Sequence, residues 1–214
     1  MKLLLATGNQ GKEKEIRTIL GDIPFGMVSL KNYPNAPEVD ENEHTFEGNA
    51  IKKARELHEF TGLPTLADDS GLEVFELGMQ PGVYSARFSG SDATDMKNNR
   101  KLLGMMEGVP REKRAAQFHC VSAFVYGDVT YTTEGICRGT IAFEMRGNGG
   151  FGYDCLVIPN GYDKTFGELP QDLKDRISHR GQSLAKMRDF LLRIAPTLMT
   201  PTAGNAGSQD LRVH

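Results

Sequence analysis

The sequence has 214 residues, of which 39% are hydrophobic and 25% are charged, and its formal net charge is −3. This length and composition predict a globular chain with a substantial buried core. A slightly acidic balance without a basic block argues against a nucleic-acid-binding surface, and no apolar run is long enough for a signal peptide or a membrane span. The three cysteines form no CxxC pair, which argues against a disulfide framework or a zinc site and favours a cytoplasmic protein.

Strands and helices alternate in the first half of the chain. The apolar run at residues 2–6 predicts a buried strand, and a loop at 7–12 precedes the first helix. Amphipathic stretches predict four helices, the last of which should end at Pro196. They cover residues 13–20, 45–60, 95–106 and 182–194. Shorter apolar or alternating runs predict further strands at 26–30, 64–67, 115–126, 129–133, 139–143 and 151–158.

This order of elements sets the expected architecture. Strands that alternate with helices at first and cluster later argue for a mixed α/β sheet and not for a purely parallel one. We expect residues 1–196 to form a single domain. The remaining segment, 197–214, is dominated by small and polar residues that bury little surface, so we expect a disordered tail.

The first candidate site is the loop Thr7-Gly8-Asn9-Gln10-Gly11-Lys12 between the first strand and the first helix. Glycines allow a ligand to approach the backbone closely, and free N–H groups at a helix start favour anions. Lys12 adds a positive charge, while Thr7 and Asn9 offer neutral hydrogen bonds. The spacing is not that of a Walker A loop. The pattern therefore indicates a phosphate-binding loop or an ordinary strand–helix connection.

The second candidate site contains three carboxylates. Asp68 and Asp69 follow a short apolar strand, and Glu41 lies in an acidic loop upstream. Burying a carboxylate beside apolar residues costs free energy unless its charge is neutralised. Mg²⁺ commonly binds one or two carboxylates together with water and phosphate oxygens. Neighbouring strand residues point to opposite faces, so Asp68 and Asp69 need not share one role. The alternative is a polar turn at 68–71.

Two further segments offer an aromatic ring and positive charge. Phe151 lies between glycine-rich turns, where it can stack on a nucleobase or simply belong to the core. Lys174, His179 and Arg180 lie just ahead of the last predicted helix. Positive charge is unfavourable at a helix start, so a bound anion or a base carbonyl would account for it, with a solvated basic face as the alternative.

Seven motifs occur in order across residues 1–195. They are TGNQGK (7–12), FEGNAIKKA (46–54), ADDSGL (67–72), PGVYSARF (81–88), FHC (118–120), GGFGYD (149–154) and SHRGQ (178–182). Together they resemble the motifs of the inosine triphosphate pyrophosphatase family, also called the Ham1-like pyrophosphatases. The resemblance implies an elongated mixed α/β sheet with flanking helices and two lobes around a central active-site cleft, in a protein that generally forms homodimers.

The same resemblance implies Mg²⁺-dependent hydrolysis of non-standard purine nucleoside triphosphates (ITP, dITP and XTP) to the monophosphate and pyrophosphate. Asp69 matches the catalytic carboxylate and a metal ligand, Glu41 matches the other metal position, and Asp68 is a further candidate ligand. Donors such as His179 and Arg180 are expected to read the purine C6 oxygen, which adenine lacks. The substrate-binding positions carried over are Thr7, Gly8, Asn9, Gln10, Gly11, Lys12, Ser70, Phe151, Gly152, Tyr153, Asp154, Lys174, His179 and Arg180.

Several departures and alternatives accompany this reading. Cys155 stands where the family usually has proline, and residues 171–173 are less acidic than is usual. The nearest alternative is a Maf-like pyrophosphatase acting on other modified or pyrimidine triphosphates. A nucleotide-binding regulator without catalysis is disfavoured by the intact acidic positions, and a nucleic-acid-binding protein is disfavoured by the net charge.

Overall fold

Seven strands form one sheet in the computed structural model, which describes residues 1–199. They are β1 (Lys2–Leu5), β2 (Gly26–Ser29), β3 (Thr65–Val74), β4 (Gln80–Pro81), β5 (Ala115–Tyr126), β6 (Val129–Ile141) and β7 (Val157–Pro159). The order across the sheet is β2-β1-β3-β5-β6-β7, with β4 paired to the end of β3. Strand β1 is parallel to β2 and β3, and the remaining pairs are antiparallel. The predicted mixed sheet is confirmed, while the two lobes around a cleft stay a prediction.

Within residues 1–199, five α-helices flank this sheet, and side-chain caps fix where three of them begin. They are α1 (Gln10–Ile19), α2 (Phe46–Thr61), α3 (Asp95–Met105), α4 (Gln171–Ile177) and α5 (His179–Met199). The side chains of Asn9, Thr45 and Thr94 accept backbone N–H groups in the first turns of α1, α2 and α3. Gly62 ends α2 in the left-handed conformation, with φ of 67°. Helix α4 was not predicted, and α1 includes residues that the sequence assigns to the preceding loop.

Strand β3 differs most from the sequence prediction. The sequence breaks the strand after residue 67, with a polar turn at 68–71 as the alternative, but the strand continues through both aspartates. It pairs with β5 along its whole length, and Asp68 lies opposite Ser122 while Asp69 lies opposite Val121. The backbone hydrogen bonds to β5 outweigh the low strand propensity of Asp and Gly. The turn is therefore wrong, and both carboxylates lie inside a central strand.

Two other strand predictions need correction. The predicted run at 129–133 and the first three residues of the run at 139–143 belong to one long strand, β6, which ends at Ile141. The predicted strand at 151–158 is replaced by turns until Val157. Gly150 and Gly152 adopt φ values of 73° and 60°, which a strand does not allow. The carboxylate of Asp154 also accepts the backbone N–H of Phe151 and closes the turn.

The last helix is longer than predicted at both ends. It begins at His179 and not at residue 182, and it continues beyond Pro196, so the predicted end at this proline is wrong. Proline removes one helical hydrogen bond, but the apolar face continues past it, since Leu198 and Met199 pack against the core. Of the predicted tail, 197–199 belong to this helix, and 200–214 lie outside the described residues.

The helices cover the two faces of the sheet. Leu3 and Leu5 of β1 point into the core formed with α1 and α5, whereas Leu4 points into the core formed with α2. A third apolar cluster surrounds the far end of β3 and includes Tyr153 and Phe166. Strand β3 follows the same alternation, with Leu66 on the α5 face and Ala67 on the α2 face. Asp68 and Asp69 therefore point to different faces.

Candidate active site

A cavity of about 1050 Å³ opens beside the middle of the sheet, and we call it the central cavity. It is bordered by the start of α1, the acidic loop before α2, β3, the segment 149–154 and the start of α5. Most of the predicted site residues line it: Thr7, Gly8, Asn9, Lys12, Glu41, Asp69, Ser70, Phe151, Gly152, Tyr153, Asp154, Lys174, His179 and Arg180. Gln10 instead borders a separate surface groove beside α1, and neither Gly11 nor Asp68 lines the central cavity.

Asp69 lies on the α2 face and is held by hydrogen bonds. The side-chain amide of Asn49 donates to Asp69 Oδ2 over 2.9 Å, and the backbone N–H of Ser70 donates to Oδ1 over 2.8 Å. Burial raises the pKa of Asp69, and the negative charge of Glu41 acts in the same direction. The carboxylate is thus oriented toward the cavity and is more basic than an ordinary aspartate.

Asp68 lies on the α5 face in a different environment. Its Oδ2 accepts from Nε and Nη2 of Arg180 over 3.1 and 3.0 Å, and Lys12 Nζ is 3.2 Å away. Although burial opposes ionisation, the charges of Lys12 and Arg180 hold the pKa of Asp68 well below its usual range. Asp68 Oδ1 is buried and has no hydrogen-bond partner among residues 1–199.

A chain of buried ion pairs connects Asp68 to the segment 149–154. Arg180 Nη1 lies 2.7 Å from Glu15 Oε2, and Lys174 Nζ bridges Glu15 Oε1 at 2.7 Å and Asp154 Oδ2 at 2.5 Å. Asp154 in turn accepts the N–H of Phe151. The pKa of Glu15 is lowered despite burial because the two cations flank it. Positions of α5 and of the glycine-rich segment are therefore coupled electrostatically.

Sequence reasoning missed Glu15, although a signal for it exists. Lys12, Glu15, Ile16 and Ile19 follow the i, i+3, i+4, i+7 spacing of one helix face. A glutamate between a candidate phosphate-binding lysine and two apolar residues is expected to be buried and paired. The sequence did not reveal which cations would reach it, because they come from residues about 160 positions away along the chain.

Two residues of α2 were quoted in the motif FEGNAIKKA but given no role. Asn49 binds Asp69, and Lys53 Nζ lies 2.6 Å from Glu41 Oε1. They are four residues apart and so share one face of the helix. Helix α2 thereby holds Asp69 and Glu41, two of the three carboxylates predicted as metal ligands.

Phe151 lies where a flat ligand could pack. Lys174 Nζ is 4.7 Å from the centre of its ring and the Arg180 guanidinium carbon is 5.6 Å away, so cations flank the aromatic face. A Cβ atom at Gly11 would lie 2.6 Å from this ring. Gly11 therefore acts by allowing the phosphate loop and Phe151 to approach each other, and not by lining the cavity.

His179 is buried at the start of α5. Its ring stacks on Phe118, with 4.6 Å between ring centres and an angle of 12°. Burial lowers the pKa of His179 well below its usual value, and the charge of Arg180 lowers it further. Nδ1 has no hydrogen-bond partner within residues 1–199. A neutral imidazole with an unpaired nitrogen therefore lines the cavity.

Comparison with known proteins agrees with the motifs. A family model described as the Ham1 family matches residues 3–190 of the chain. The chain belongs to the Ham1 family. A Ham1 protein from Coxiella burnetii has a solved structure that superposes with a TM-score of 0.83 at 37% identity, covering 90% of this chain and 99% of that one. The Ham1 protein of Staphylococcus aureus gives a TM-score of 0.80 at 35% identity, over 89% and 98% of the two chains.

Relatives of this Ham1 chain carry a functional name. A protein named dITP/XTP pyrophosphatase from Desulforamulus reducens is 49% identical over 195 residues, which is 91% of this chain and 97% of that protein. A protein of the same name from Geobacter sulfurreducens is 49% identical over 191 residues, which is 89% of this chain and 96% of that protein. Within residues 1–199, no helix combines the length and the apolarity needed to cross a lipid bilayer.

Proposed function

We propose that this Ham1 protein hydrolyses non-standard purine nucleoside triphosphates, with dITP, XTP and ITP as substrates, to the nucleoside monophosphate and pyrophosphate. The observation that carries the proposal is the position of Asp69. Its carboxylate is oriented and more basic than usual, and it faces a cavity that also contains cations and an aromatic ring. This combination suits a ligand with a charged phosphate chain at one end and a flat base at the other.

The carboxylates in the cavity suit a divalent cation. Asp69 and Glu41 face the same cavity, and the charge of Glu41 makes ionisation of Asp69 harder. Within residues 1–199 no group of three or more His, Cys, Asp or Glu side chains forms a complete metal site. Two carboxylates completed by water and substrate phosphates are what Mg²⁺ commonly uses. When bound, Mg²⁺ would neutralise phosphate charge and polarise the phosphorus–oxygen bonds.

The protein side chains account for the remaining parts of the reaction. Asp69 takes a proton from the attacking water, whose oxygen forms a bond to phosphorus while the bridging bond between the α- and β-phosphates breaks. The products are one monophosphate, one pyrophosphate and the released proton. Lys12 and Lys53 offset negative charge on the phosphate chain. The N–H groups of Thr7, Asn9 and Lys12 already donate within the chain, so the other N–H groups of the loop at 7–12 bind the phosphate oxygens.

Base recognition is assigned to Phe151 and His179. Phe151 supplies an aromatic face, and base stacking on such a ring is worth roughly 1–3 kcal/mol. The imidazole of His179 is neutral, and its unpaired Nδ1 forms a hydrogen bond with the base. Arg180 directs its N–H groups at Asp68, Glu15 and Ser70. We therefore assign Arg180 to holding the site together behind the base, and His179 to contact with the base.

The homodimer expected from the resemblance and the cytoplasmic location expected from the cysteine usage remain part of this proposal. Multi-angle light scattering on the purified full chain measures the mass directly. A mass of twice the 23.6 kDa chain supports the dimer, and a monomer mass at micromolar concentration refutes it.

The experiment that tests the function is a substrate panel. The purified protein is incubated with dITP, XTP, ITP, ATP, GTP and dTTP, with and without Mg²⁺, and pyrophosphate and orthophosphate are quantified separately. Pyrophosphate from the deaminated purines, lost without metal, is the expected result. Turnover of dTTP in their place would favour the Maf-like alternative, and orthophosphate as the product would refute cleavage between the α- and β-phosphates.

A further inference from the structure

The positive charges of the central cavity are not equally available to a ligand. Five cationic side chains line it, and four of them are already paired with carboxylates. These pairs are Lys12 with Asp68, Lys53 with Glu41, Lys174 with Glu15 and Asp154, and Arg180 with Glu15 and Asp68. The four are also largely buried, with side-chain exposures between 2% and 16%. Because these carboxylates already offset much of the four charges, Lys12 and Lys53 supply only part of the positive charge that a phosphate chain needs.

The fifth cation, Arg87, is different. It ends the short helical segment Gly82–Arg87, is exposed, and makes no salt bridge within residues 1–199. Its Nη2 donates to the backbone oxygen of Glu41 over 2.9 Å, and its guanidinium carbon lies 5.1 Å from the centre of the Tyr84 ring. The contact with a carbonyl and the stacking fix its position without neutralising its charge.

The contact with Glu41 also shows where in the cavity Arg87 acts. Glu41 belongs to the pair of carboxylates that suit a divalent cation, so Arg87 lies at the phosphate end and not at the end formed by Phe151 and His179. The cavity has six carboxylate side chains along its wall, and within residues 1–199 only two of them, Glu41 and Asp154, are paired with a lysine that also lines it, so a triphosphate needs unpaired positive charge there. The six are Glu38, Asp40, Glu41, Asp69, Asp95 and Asp154.

We propose that Arg87 is a substrate-binding residue that contacts the phosphate chain of the nucleotide. Its planar guanidinium carries N–H groups beyond the one bonded to Glu41, and these can bind two phosphate oxygens at once. The inference rests on the proposed function only in naming the nucleotide. The contact between Arg87 and a polyphosphate does not depend on which base that nucleotide carries. The competing explanation is that Arg87 only braces the acidic loop against the segment 82–87.

Binding of inorganic pyrophosphate separates these explanations. Calorimetry in the presence of Mg²⁺ measures its Kd for the wild-type protein and for the variants Arg87→Gln and Arg87→Lys. Loss of a charged hydrogen bond predicts a Kd raised roughly 10- to 100-fold in Arg87→Gln, with partial recovery in Arg87→Lys. The apparent Kd of inosine, which has a base but no phosphate, should stay within about two-fold of wild type in both variants.

The variant Lys101→Gln is the matched control. Lys101 is also an exposed cation, it donates to the backbone oxygen of Phe88 over 2.6 Å, and its ammonium lies 4.3 Å from that ring. It therefore braces the same stretch of chain without lining the central cavity. We expect Lys101→Gln to bind pyrophosphate with the wild-type Kd. Its thermal unfolding midpoint measures how much stability is lost when a side chain that only braces this stretch is removed.

The outcomes distinguish this inference from the proposed function. If the wild type hydrolyses dITP and Arg87→Gln binds pyrophosphate as the wild type does, the assignment of Arg87 is wrong and the function stands. If Arg87→Gln loses pyrophosphate binding while the wild type hydrolyses no deaminated purine triphosphate, Arg87 keeps its role and the function fails. Equal weakening of inosine and pyrophosphate would overturn the assignment, because it indicates a disturbed cavity and not a lost phosphate contact.

Discussion

The two faces of strand β3 put neighbouring aspartates in contrasting environments. Asp68 faces α5 and is paired with Lys12 and Arg180, whereas Asp69 faces α2 and is held by the neutral amide of Asn49. Both are buried, with 1% and 5% of the residue exposed. Yet the pKa of Asp68 is lowered by its cationic partners, and the pKa of Asp69 is raised by burial and by Glu41.

From this contrast we infer that one strand supplies both a structural charge and a reactive one. A buried carboxylate between two cations stays ionised and binds them together, so it is poorly suited to accept a proton. A buried carboxylate held by neutral donors is a better base. Two groups of the same type whose pKa values are moved apart are a common sign of separate roles in an active site.

The largest effect on activity is expected for Asp69→Asn. The substitution keeps the size of the side chain but removes the proton acceptor, so pyrophosphate formation from dITP should fall roughly 10²- to 10⁴-fold. Because Asp69 carries no salt bridge within residues 1–199, the unfolding midpoint should change little. A steady-state assay and a thermal melt on the same preparation check both expectations, and a variant with wild-type turnover would exclude Asp69 as the base.

Asp68→Asn should affect mainly stability. Without this carboxylate, the charges of Lys12 and Arg180 are left poorly balanced in a buried place, and breaking such a pair costs roughly 3–5 kcal/mol. Urea denaturation measures the loss. Asp22→Asn is the control, since it also removes a carboxylate paired with an arginine, Arg188, but at the surface. An equally small effect of both substitutions would contradict the structural role of Asp68.

The buried histidine predicts how stability changes with pH. Burial lowers the pKa of His179 in the folded protein, whereas in the unfolded chain the pKa of this side chain is about 6.5. As the pH falls below that value, the unfolded state takes up the proton first and stability is lost, at up to about 1.4 kcal/mol per pH unit. His179→Gln should flatten this slope, and the exposed His44→Gln should not. Equal slopes in the three proteins would show that His179 is not held neutral.

The smallest effect is expected for Gln10→Ala. Gln10 borders the surface groove beside α1 and not the central cavity, although the resemblance places it in the phosphate loop. An exposed substitution of this kind should leave kcat/KM within about two-fold of wild type. A much larger loss would place its side chain on the substrate and would require the loop to rearrange on binding.

Local patterns in the sequence were enough to predict some of this architecture. Amphipathic spacing predicted α2 and α3 to within one residue at each end, and the runs at 2–6, 26–30 and 115–126 match β1, β2 and β5. The length and register of β3 could not be predicted from the sequence, because they depend on pairing with β5, about 50 residues away along the chain. Phosphate-loop residues could be carried over by motif, whereas the partners of Arg180 and Asp69 arise from tertiary packing that no local spacing encodes.

We propose that Asp69 accepts the proton of the attacking water, whereas Asp68 holds Lys12 and Arg180 in place. The most direct test is the ratio of pyrophosphate formation by Asp68→Asn to that by Asp69→Asn, measured with saturating dITP and Mg²⁺ at a temperature where circular dichroism shows both variants folded. We expect Asp68→Asn to be faster by roughly ten-fold or more, since only the other variant lacks its general base. Equal rates, or a faster Asp69→Asn enzyme, would contradict it.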